Sequence, residues 1–272
     1  DMSARILDIS AERVRDELLR MVSSDSPREG LEILVDTGLA EHVLPELPAL
    51  RLESDEHAHH KDVYEHTLTV VDQAISEEKR RNPGAPPDVT LRLAALLHDI
   101  GKPATRRFEP GGTVTFYHHD VVGAKLATKR LKSLRRDKDT INSVATLIEL
   151  HLRFFGYADS AWSDSAVRRY VRDAGSELDR LHIVVRADVT TRNQRKADRL
   201  SFAYDDLEAR IAALAEQEEL QAMRPDLDGE AIMKVLGIGP GREVGEAYRF
   251  LLEVRLDEGE IGEEAATQRL LE

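Results

Sequence analysis

Apolar residues recur every three to four positions along most of the chain, and this period predicts α-helices. Ser10 stands immediately before the first amphipathic stretch, where a hydroxyl can cap the free amides of a helix N-terminus. A second helix is predicted over residues 29–37, and Gly38 follows it at the place where a left-handed C-cap needs no Cβ. The pattern therefore begins with two short helices.

The most apolar segment is LRLAALLHDI at residues 91–100, which is apolar on nearly all sides and predicts a buried helix. Gly101 and Pro103 end it. Pro-Gly-Gly at 110–112, between short β-prone runs, is the only good hairpin signal. The remaining pattern is helical, so the predicted fold class is all-α with one short β-hairpin-like segment.

Composition excludes several kinds of chemistry. The 272 residues contain no cysteine, which excludes disulfides, Cys-based zinc sites and thiol nucleophiles and fits a reducing cytoplasm. The net charge of −13 argues against promiscuous nucleic-acid binding by the chain as a whole. Apolar runs stay shorter than the ~18 residues of a membrane span, so we expect no membrane partner. The N-terminal residues resemble the middle of a helix, which suggests a fragment of a longer protein.

Basic residues concentrate in one short segment of this acidic chain. Seven fall within residues 125–138, few of them with an acid at i+4, and further arginines follow within 168–172 and 186–199. Such a stripe suits a phosphate-rich partner, and the alternative is salt bridging along helices. Pattern alone favours partner binding over 125–136. The candidate RNA or phosphate contacts are Arg106, Lys125, Lys129, Arg130, Arg153, Arg192 and Arg195.

Histidine and aspartate residues form the most informative pattern. His98 and Asp99 end the buried helix, where two polar groups without a partner would cost several kcal/mol. A metal ion satisfies both, because imidazole and carboxylate are usual ligands. His66 in the preceding helical stretch and Asp188 at the edge of another apolar run complete a candidate set. A set without thiolates favours Mg²⁺, Mn²⁺, Ni²⁺, Co²⁺ or Fe²⁺ over structural Zn²⁺.

Other histidines have plainer interpretations. His119 and His151 either form a second metal site or are hydrogen-bonded core histidines, and the sequence leaves both open. His42 and His182 are expected to be core histidines. His57, His59 and His60 lie in a polar stretch and are expected to be exposed, although His60 could reach the site.

These residues resemble the HD superfamily of metal-dependent phosphohydrolases. LLHDIGKP at residues 96–103 is like its hallmark, and His66, His98, Asp99 and Asp188 match its four ligands. His119, rather than His118, and His151 match the two further histidines of members that hold two metals. Asp120, a shorter acid, stands where the family usually has glutamate.

The resemblance extends over essentially the whole chain. Residues 9–47 look like the neck of bacterial tRNA nucleotidyltransferases, the CCA-adding enzymes of the poly(A) polymerase family. The segments 61–70, 190–200 and 224–261 resemble the HD-containing, actinobacterial-type branch of that group. The nucleotidyltransferase head, with its Gly-Ser signature and paired carboxylates, is absent. The resemblance thus implies the C-terminal part of a longer enzyme that adds no nucleotides alone.

The resemblance implies that the chain is elongated and has three parts. These are an RNA-binding neck at 1–50, an HD phosphohydrolase domain at 51–200 and a helical, tRNA-binding tail at 201–272. The expected reaction is hydrolysis of phosphomonoesters or 2′,3′-cyclic phosphodiesters of nucleotides or RNA ends. Asp99 and Lys102 are the expected catalytic residues, although Lys102 could instead cap a helix C-terminus. The alternatives are a tRNA-binding module with a vestigial metal site and a stand-alone HD nucleotide phosphohydrolase.

Overall fold

The computed structural model describes residues 2–51, 62–160, 162–191, 193–218 and 224–272. The chain divides into two compact units, one formed by residues 1–154 with 176–198 and the other by 155–175 with 199–272. Arg192 and the histidines at 57, 59 and 60 lie outside the described residues. In the described part, no helix combines the length and the apolar character needed to cross a membrane.

Nine α-helices and the only two strands among the described residues lie in the first unit. Residues 1–154 contain α1 (Ala11–Val22), α2 (Pro27–Asp36), α3 (Ala40–Val43), α4 (Val63–Arg81), α5 (Val89–Leu97), α6 (Lys102–Thr105), β1 (Arg107–Phe108), β2 (Val114–Thr115), α7 (His119–Ser133) and α8 (Lys138–Leu150). Residues 176–198 contain α11 (Leu178–Ala187).

The N-terminal helices form as their sequence predicts. The Ser10 hydroxyl accepts a hydrogen bond from the Arg13 amide at the start of α1. Gly38 has a φ of +73° directly after α2, a conformation that is costly for residues with a Cβ. The α1 and α2 helices pack against α5 and α4 respectively, so the N-terminal segment rests on the core of the same unit.

The core of the first unit is built by α4, α5, α7, α8 and α11, which pack on one another. Every residue of α5 from Leu91 to Leu97 is buried, as its all-round apolar pattern predicts. The one charged member of that run, Arg92, donates to Glu78 of α4 at 2.8 Å and to the carbonyls of Val22 and Ser24. This buried guanidinium thereby joins α5 to α4 and to the end of α1.

The predicted hairpin is confirmed. Strands β1 and β2 pair antiparallel, with Arg107 opposite Thr115 and Phe108 opposite Val114. Gly111 and Gly112 in the connecting turn both have positive φ, at +98° and +82°. The fold class, all-α apart from this hairpin, is confirmed as well.

The second unit is entirely helical within the described residues. It contains most of α9 (Arg153–Asp159) and of α12 (Gln194–Glu218), together with α10 (Asp164–Ala174), α13 (Gly229–Leu236), α14 (Arg242–Glu258) and α15 (Gly262–Leu271). The buried residues Leu227, Ile232, Leu251 and Ala266 form a small core cluster for α13–α15.

The compact units follow a different division from the predicted domain boundaries. Residues 1–50 lie in the same unit as the helices that follow them, and residues 155–175 group with 199–272. The division into 1–50, 51–200 and 201–272 concerns family domains and stays a prediction.

Candidate metal centre

Six side chains converge where helices of the first unit begin or end. His98, His151 and Asp188 are the C-caps of α5, α8 and α11, respectively. His119 is the first residue of α7, and Asp99 directly follows His98. The C-terminus of a helix carries partial negative charge, so three helix ends favour a cation at this point.

The first group consists of His66, His98 and Asp188. The Oδ1 atom of Asp188 lies 2.9 Å from Nε2 of His66 and 3.6 Å from Nε2 of His98. The two Nε2 atoms are 3.4 Å apart. Ligand atoms about 2 Å from one ion lie about 3 Å apart at right angles, so this spacing suits a shared cation.

The second group consists of Asp99, His119 and His151. Nε2 of His119 lies 3.2 Å from Oδ1 of Asp99, and the rings of His119 and His151 are 5.3 Å apart between centroids. The Nε2 atom of His151 is buried and has no hydrogen-bond partner, whereas Nε2 of His119 faces the Asp99 carboxylate. A buried nitrogen without a partner is costly, and a metal ion would satisfy Nε2 of His151.

Asp99 joins the two groups. While its Oδ1 faces His119, its Oδ2 lies 3.2 Å from Nε2 of His98 and 3.5 Å from Nε2 of His66. Nζ of Lys102 lies 2.5 Å from the same Oδ2. The carboxylate, 1% exposed, thus presents one oxygen to each group and is partly neutralised by Lys102.

Hydrogen bonds at the Nδ1 atoms orient the four rings. His98, His119 and His151 each contact the carbonyl three residues earlier, those of Ala95, Phe116 and Ile148. His66 instead has the Thr190 hydroxyl 2.8 Å from Nδ1. All four rings therefore direct Nε2 towards the shared space, as metal-binding histidines with an outer hydrogen-bond partner do.

Electrostatics couple the groups. Burial alone lowers the pKa of His98, but Asp99 and Asp188 outweigh it and raise that pKa to about 10. Burial and the neighbouring His98 lower the pKa of His151 to about 4. Burial raises the pKa of Asp99, yet His98, Lys102 and His119 hold it well below its usual value. Likewise the pKa of Asp188 is lowered against burial, by hydrogen bonds from His66 and His98. The proton on His98 thus supplies positive charge between Asp99 and Asp188, where a metal cation would supply it as well.

The donor set fits one or two divalent ions. Two carboxylates and four imidazole nitrogens suit divalent first-row metals, and each group offers three ligand atoms within 4.8 Å of one another. All six predicted metal ligands, namely His66, His98, Asp99, Asp188, His119 and His151, belong to these groups. Their role as ligands stays a prediction.

The predicted phosphate and RNA contacts lie in different surroundings. Lys125 and Lys129 are exposed on one face of α7, whereas Arg130 binds the Glu46 carboxylate at 2.9 Å. Arg106 directly follows α6, and its guanidinium carbon lies 4.7 Å from the centre of the Phe108 ring. Arg153 and Arg195 are exposed.

The arginines at 168–172, which the sequence places in the basic stripe, contact the unit itself. Arg169 binds Glu253 and Asp257, and Arg172 binds Glu253. Salt bridging across helices, rather than along one helix, accounts for these two side chains.

Sequence reasoning missed Thr190. A threonine two residues after a candidate ligand carries no signal of its own, because its contact with His66 spans 124 positions of the chain. Of the two candidate core histidines, His182 is buried, whereas His42 is half-buried with its Nε2 3.4 Å from the Ser3 hydroxyl.

Comparisons with known proteins match the chain in two segments. Residues 1–50 match the family described as the probable RNA and SrmB-binding site of polymerase A, and residues 63–193 match the HD domain family. The A-adding tRNA nucleotidyltransferase of Deinococcus radiodurans is 35% identical over 266 residues, which are 96% of this chain and 58% of that protein. The CC-adding tRNA nucleotidyltransferase of Thermus thermophilus is 35% identical over 255 residues, covering 92% of this chain and 54% of that protein.

A more distant relative is the multifunctional CCA protein of Pseudomonas fluorescens, 29% identical over 48% of this chain and 31% of its own length. The chain spans a little over half the length of the first two relatives. The resemblance noted in the sequence is confirmed. The chain combines a polymerase A-type RNA-binding segment with an HD domain and is homologous to tRNA nucleotidyltransferases over nearly all of its length.

Proposed function

We propose that the six residues of the metal centre bind two divalent metal ions. The loaded site then hydrolyses phosphomonoesters or 2′,3′-cyclic phosphodiesters of nucleotides or RNA ends. The observation that carries this proposal is the buried Nε2 atom of His151, which has no hydrogen-bond partner and lies in one group with Asp99 and His119. A hydrogen-bonded core histidine would not leave that nitrogen unsatisfied.

Divalent ions at such a site polarise the phosphoryl group and lower the pKa of bound water. Asp99 would hold both ions, since one oxygen faces each group. Lys102, 2.5 Å from Asp99, is placed to turn towards a substrate phosphate once an ion neutralises that carboxylate. The neutral state of His151, favoured by its lowered pKa, is the state that binds a metal.

The test is turnover by the metal-loaded chain. Purified protein with Ni²⁺, Mn²⁺ or Mg²⁺ is assayed against p-nitrophenyl phosphate, 2′-AMP and 2′,3′-cAMP. Asp99→Ala and His151→Gln should abolish turnover, and His42→Gln, which changes a histidine outside the cluster, should retain it. No turnover with any metal, or activity that survives Asp99→Ala, contradicts the proposal.

We further infer that the chain binds tRNA through its RNA-binding segment and the exposed face of α7. The similarity to tRNA nucleotidyltransferases and the match at residues 1–50 support this inference, together with the exposed Lys125 and Lys129. Binding to tRNA should weaken steeply with salt, and a Lys125→Gln/Lys129→Gln variant should have a shallower slope. The matched variant Arg130→Gln, which removes a guanidinium already bound to Glu46, should change the slope less.

A second candidate is a tRNA-binding module whose metal site is vestigial. The Lys102–Asp99 ion pair and a protonated His98 favour it, because together they neutralise much of the carboxylate charge without an ion. Salt-dependent tRNA binding without metal uptake or turnover is the result expected of this candidate. Adding ATP and CTP to the same mixture also tests the prediction that the chain alone adds no nucleotides to tRNA.

A further inference from the structure

The hairpin at residues 106–116 is inserted between two residues of the metal centre. Lys102, which contacts Asp99, lies in α6 immediately before the hairpin, and His119 begins α7 immediately after it. The carbonyl of Phe116 also lies 2.8 Å from Nδ1 of His119. The hairpin is therefore fixed to the edge of the centre from both ends.

The hairpin carries two pairs of an aromatic ring and a basic group. Arg106 immediately precedes β1, and its guanidinium carbon lies 4.7 Å from the centre of the Phe108 ring. Phe116 directly follows β2 and is half-buried. Nζ of Lys102 lies 5.8 Å from the centre of the Phe116 ring.

These pairs have the chemistry of a single-stranded nucleic-acid site. Phe108 is 62% exposed, so its ring is accessible to a ligand. Aromatic rings stack on nucleobases, and guanidinium groups bind the phosphates between them. The two pairs, Phe108 with Arg106 and Phe116 with Lys102, offer a ring for a base and a cation for a phosphate, and Lys102 also contacts Asp99.

We propose that Phe108, Arg106 and Phe116 bind the last two nucleotides of a single-stranded RNA end and direct its terminal phosphate to the metal centre. This proposal deepens the proposed hydrolase function and rests on it for the fate of the phosphate. The hairpin then sets the substrate class: an RNA end with at least two unpaired nucleotides is preferred over a mononucleotide, because only the longer ligand reaches Phe108.

The test measures binding separately from catalysis. The dinucleotide ApA carries no terminal phosphate and is not a phosphomonoesterase substrate, so its affinity for the full metal-loaded chain is read by calorimetric titration. Phe108→Ala should weaken ApA binding about 5- to 150-fold, the range typical of losing one stacked base. Phe202→Ala is the matched control, because Phe202 is 73% exposed on α12 of the second unit and should leave ApA binding unchanged.

Two further ligands make the outcomes distinct. Inorganic phosphate should bind wild type and Phe108→Ala equally, and 2′-AMP should lose less affinity than ApA. Unchanged ApA binding in Phe108→Ala overturns the proposal that the hairpin binds an RNA end, whether or not the chain turns over phosphoesters. Equal losses for 2′-AMP and ApA overturn the RNA-end assignment in favour of a mononucleotide. If Phe108→Ala loses affinity for ApA alone and the chain hydrolyses no phosphoester, RNA-end binding by the hairpin is supported and only the hydrolase proposal is contradicted.

Discussion

Replacing Gly101 by alanine should disturb the metal centre although Gly101 ligates nothing. A Cβ built at this position lies 2.1 Å from the carbonyl oxygen of His119 and 2.7 Å from the amide nitrogen of Gly123. Both are backbone atoms, so no side-chain rotation relieves the contact. The φ of Gly101 is −78°, an ordinary value, and the effect is therefore steric alone.

The magnitude follows from the required movement. The start of α7 and the turn after α5 must separate by about 1 Å before the contact becomes tolerable. Overpacking of this kind costs about 1–3 kcal/mol, and contact with a rigid main chain places the expected value near 3 kcal/mol. For a unit of this size, that corresponds to a fall in Tm of about 6–12 °C. The movement also separates His119 from Asp99, which are 3.2 Å apart.

The assay combines thermal unfolding with metal content. Gly101→Ala should unfold earlier and retain one ion, bound by His66, His98 and Asp188, instead of two. Gly245→Ala is the matched control, because its Cβ meets no atom within 4 Å; as a change inside α14 it should raise stability by at most about 1 kcal/mol and leave the metal content unchanged. A Gly101→Ala protein with wild-type Tm and two ions refutes the reasoning.

Three further predictions concern the same unit. Arg92→Met should lower the free energy of unfolding by about 3–5 kcal/mol, because it leaves Glu78 buried without its cation; denaturant titration measures this. Metal binding at pH 7 should release a proton, since His98, whose pKa is raised to about 10, must become neutral to bind a metal; calorimetry in buffers of different ionisation enthalpy detects it. Thr190→Val should weaken metal affinity about 10- to 100-fold by removing the Nδ1 partner of His66, measured by competition with a chelator.

Each of these predictions has a result that contradicts it. Arg242→Met changes a side chain that is 90% exposed and should alter the free energy of unfolding by at most about 0.5 kcal/mol. If Arg92→Met has an equally small effect, burial of the Arg92–Glu78 pair does not stabilise the fold. Metal binding without proton release contradicts the raised pKa of His98, and binding should strengthen as pH rises towards 10. Thr267→Val, at a half-buried threonine in α15, is the control for Thr190→Val, and equal metal affinities of the two variants would exclude positioning of His66.

The fold class could be predicted because local signals agree with tertiary packing. Ser10 caps α1, Gly38 ends α2 in the left-handed region, and the apolar run of α5 is buried on all sides. The hairpin could also be predicted, from Pro-Gly-Gly at residues 110–112. The division into compact units was not, because the grouping of residues 155–175 with 199–272 depends on contacts distant in sequence.

The site was predictable in part for the same reason. His98 and Asp99 are visible as polar residues at the end of a buried helix, and His66 and Asp188 as polar residues beside apolar runs. For His119 and His151 the pattern left two interpretations open, and the resemblance to a known family favoured the metal site. Orientation could not be predicted. The contact of His66 with Thr190 and the pairing of Arg130 with Glu46 join positions 124 and 84 residues apart, and only the folded chain brings them together.

Metal content of the purified chain tests the central claim most directly. Elemental analysis of the wild type after incubation with Mn²⁺ or Ni²⁺ and removal of free metal should give two ions per chain. His151→Gln should give one, because it removes a ligand of the second group, and His42→Gln should give two. A wild-type chain without bound metal, or equal metal content in wild type and His151→Gln, contradicts the account.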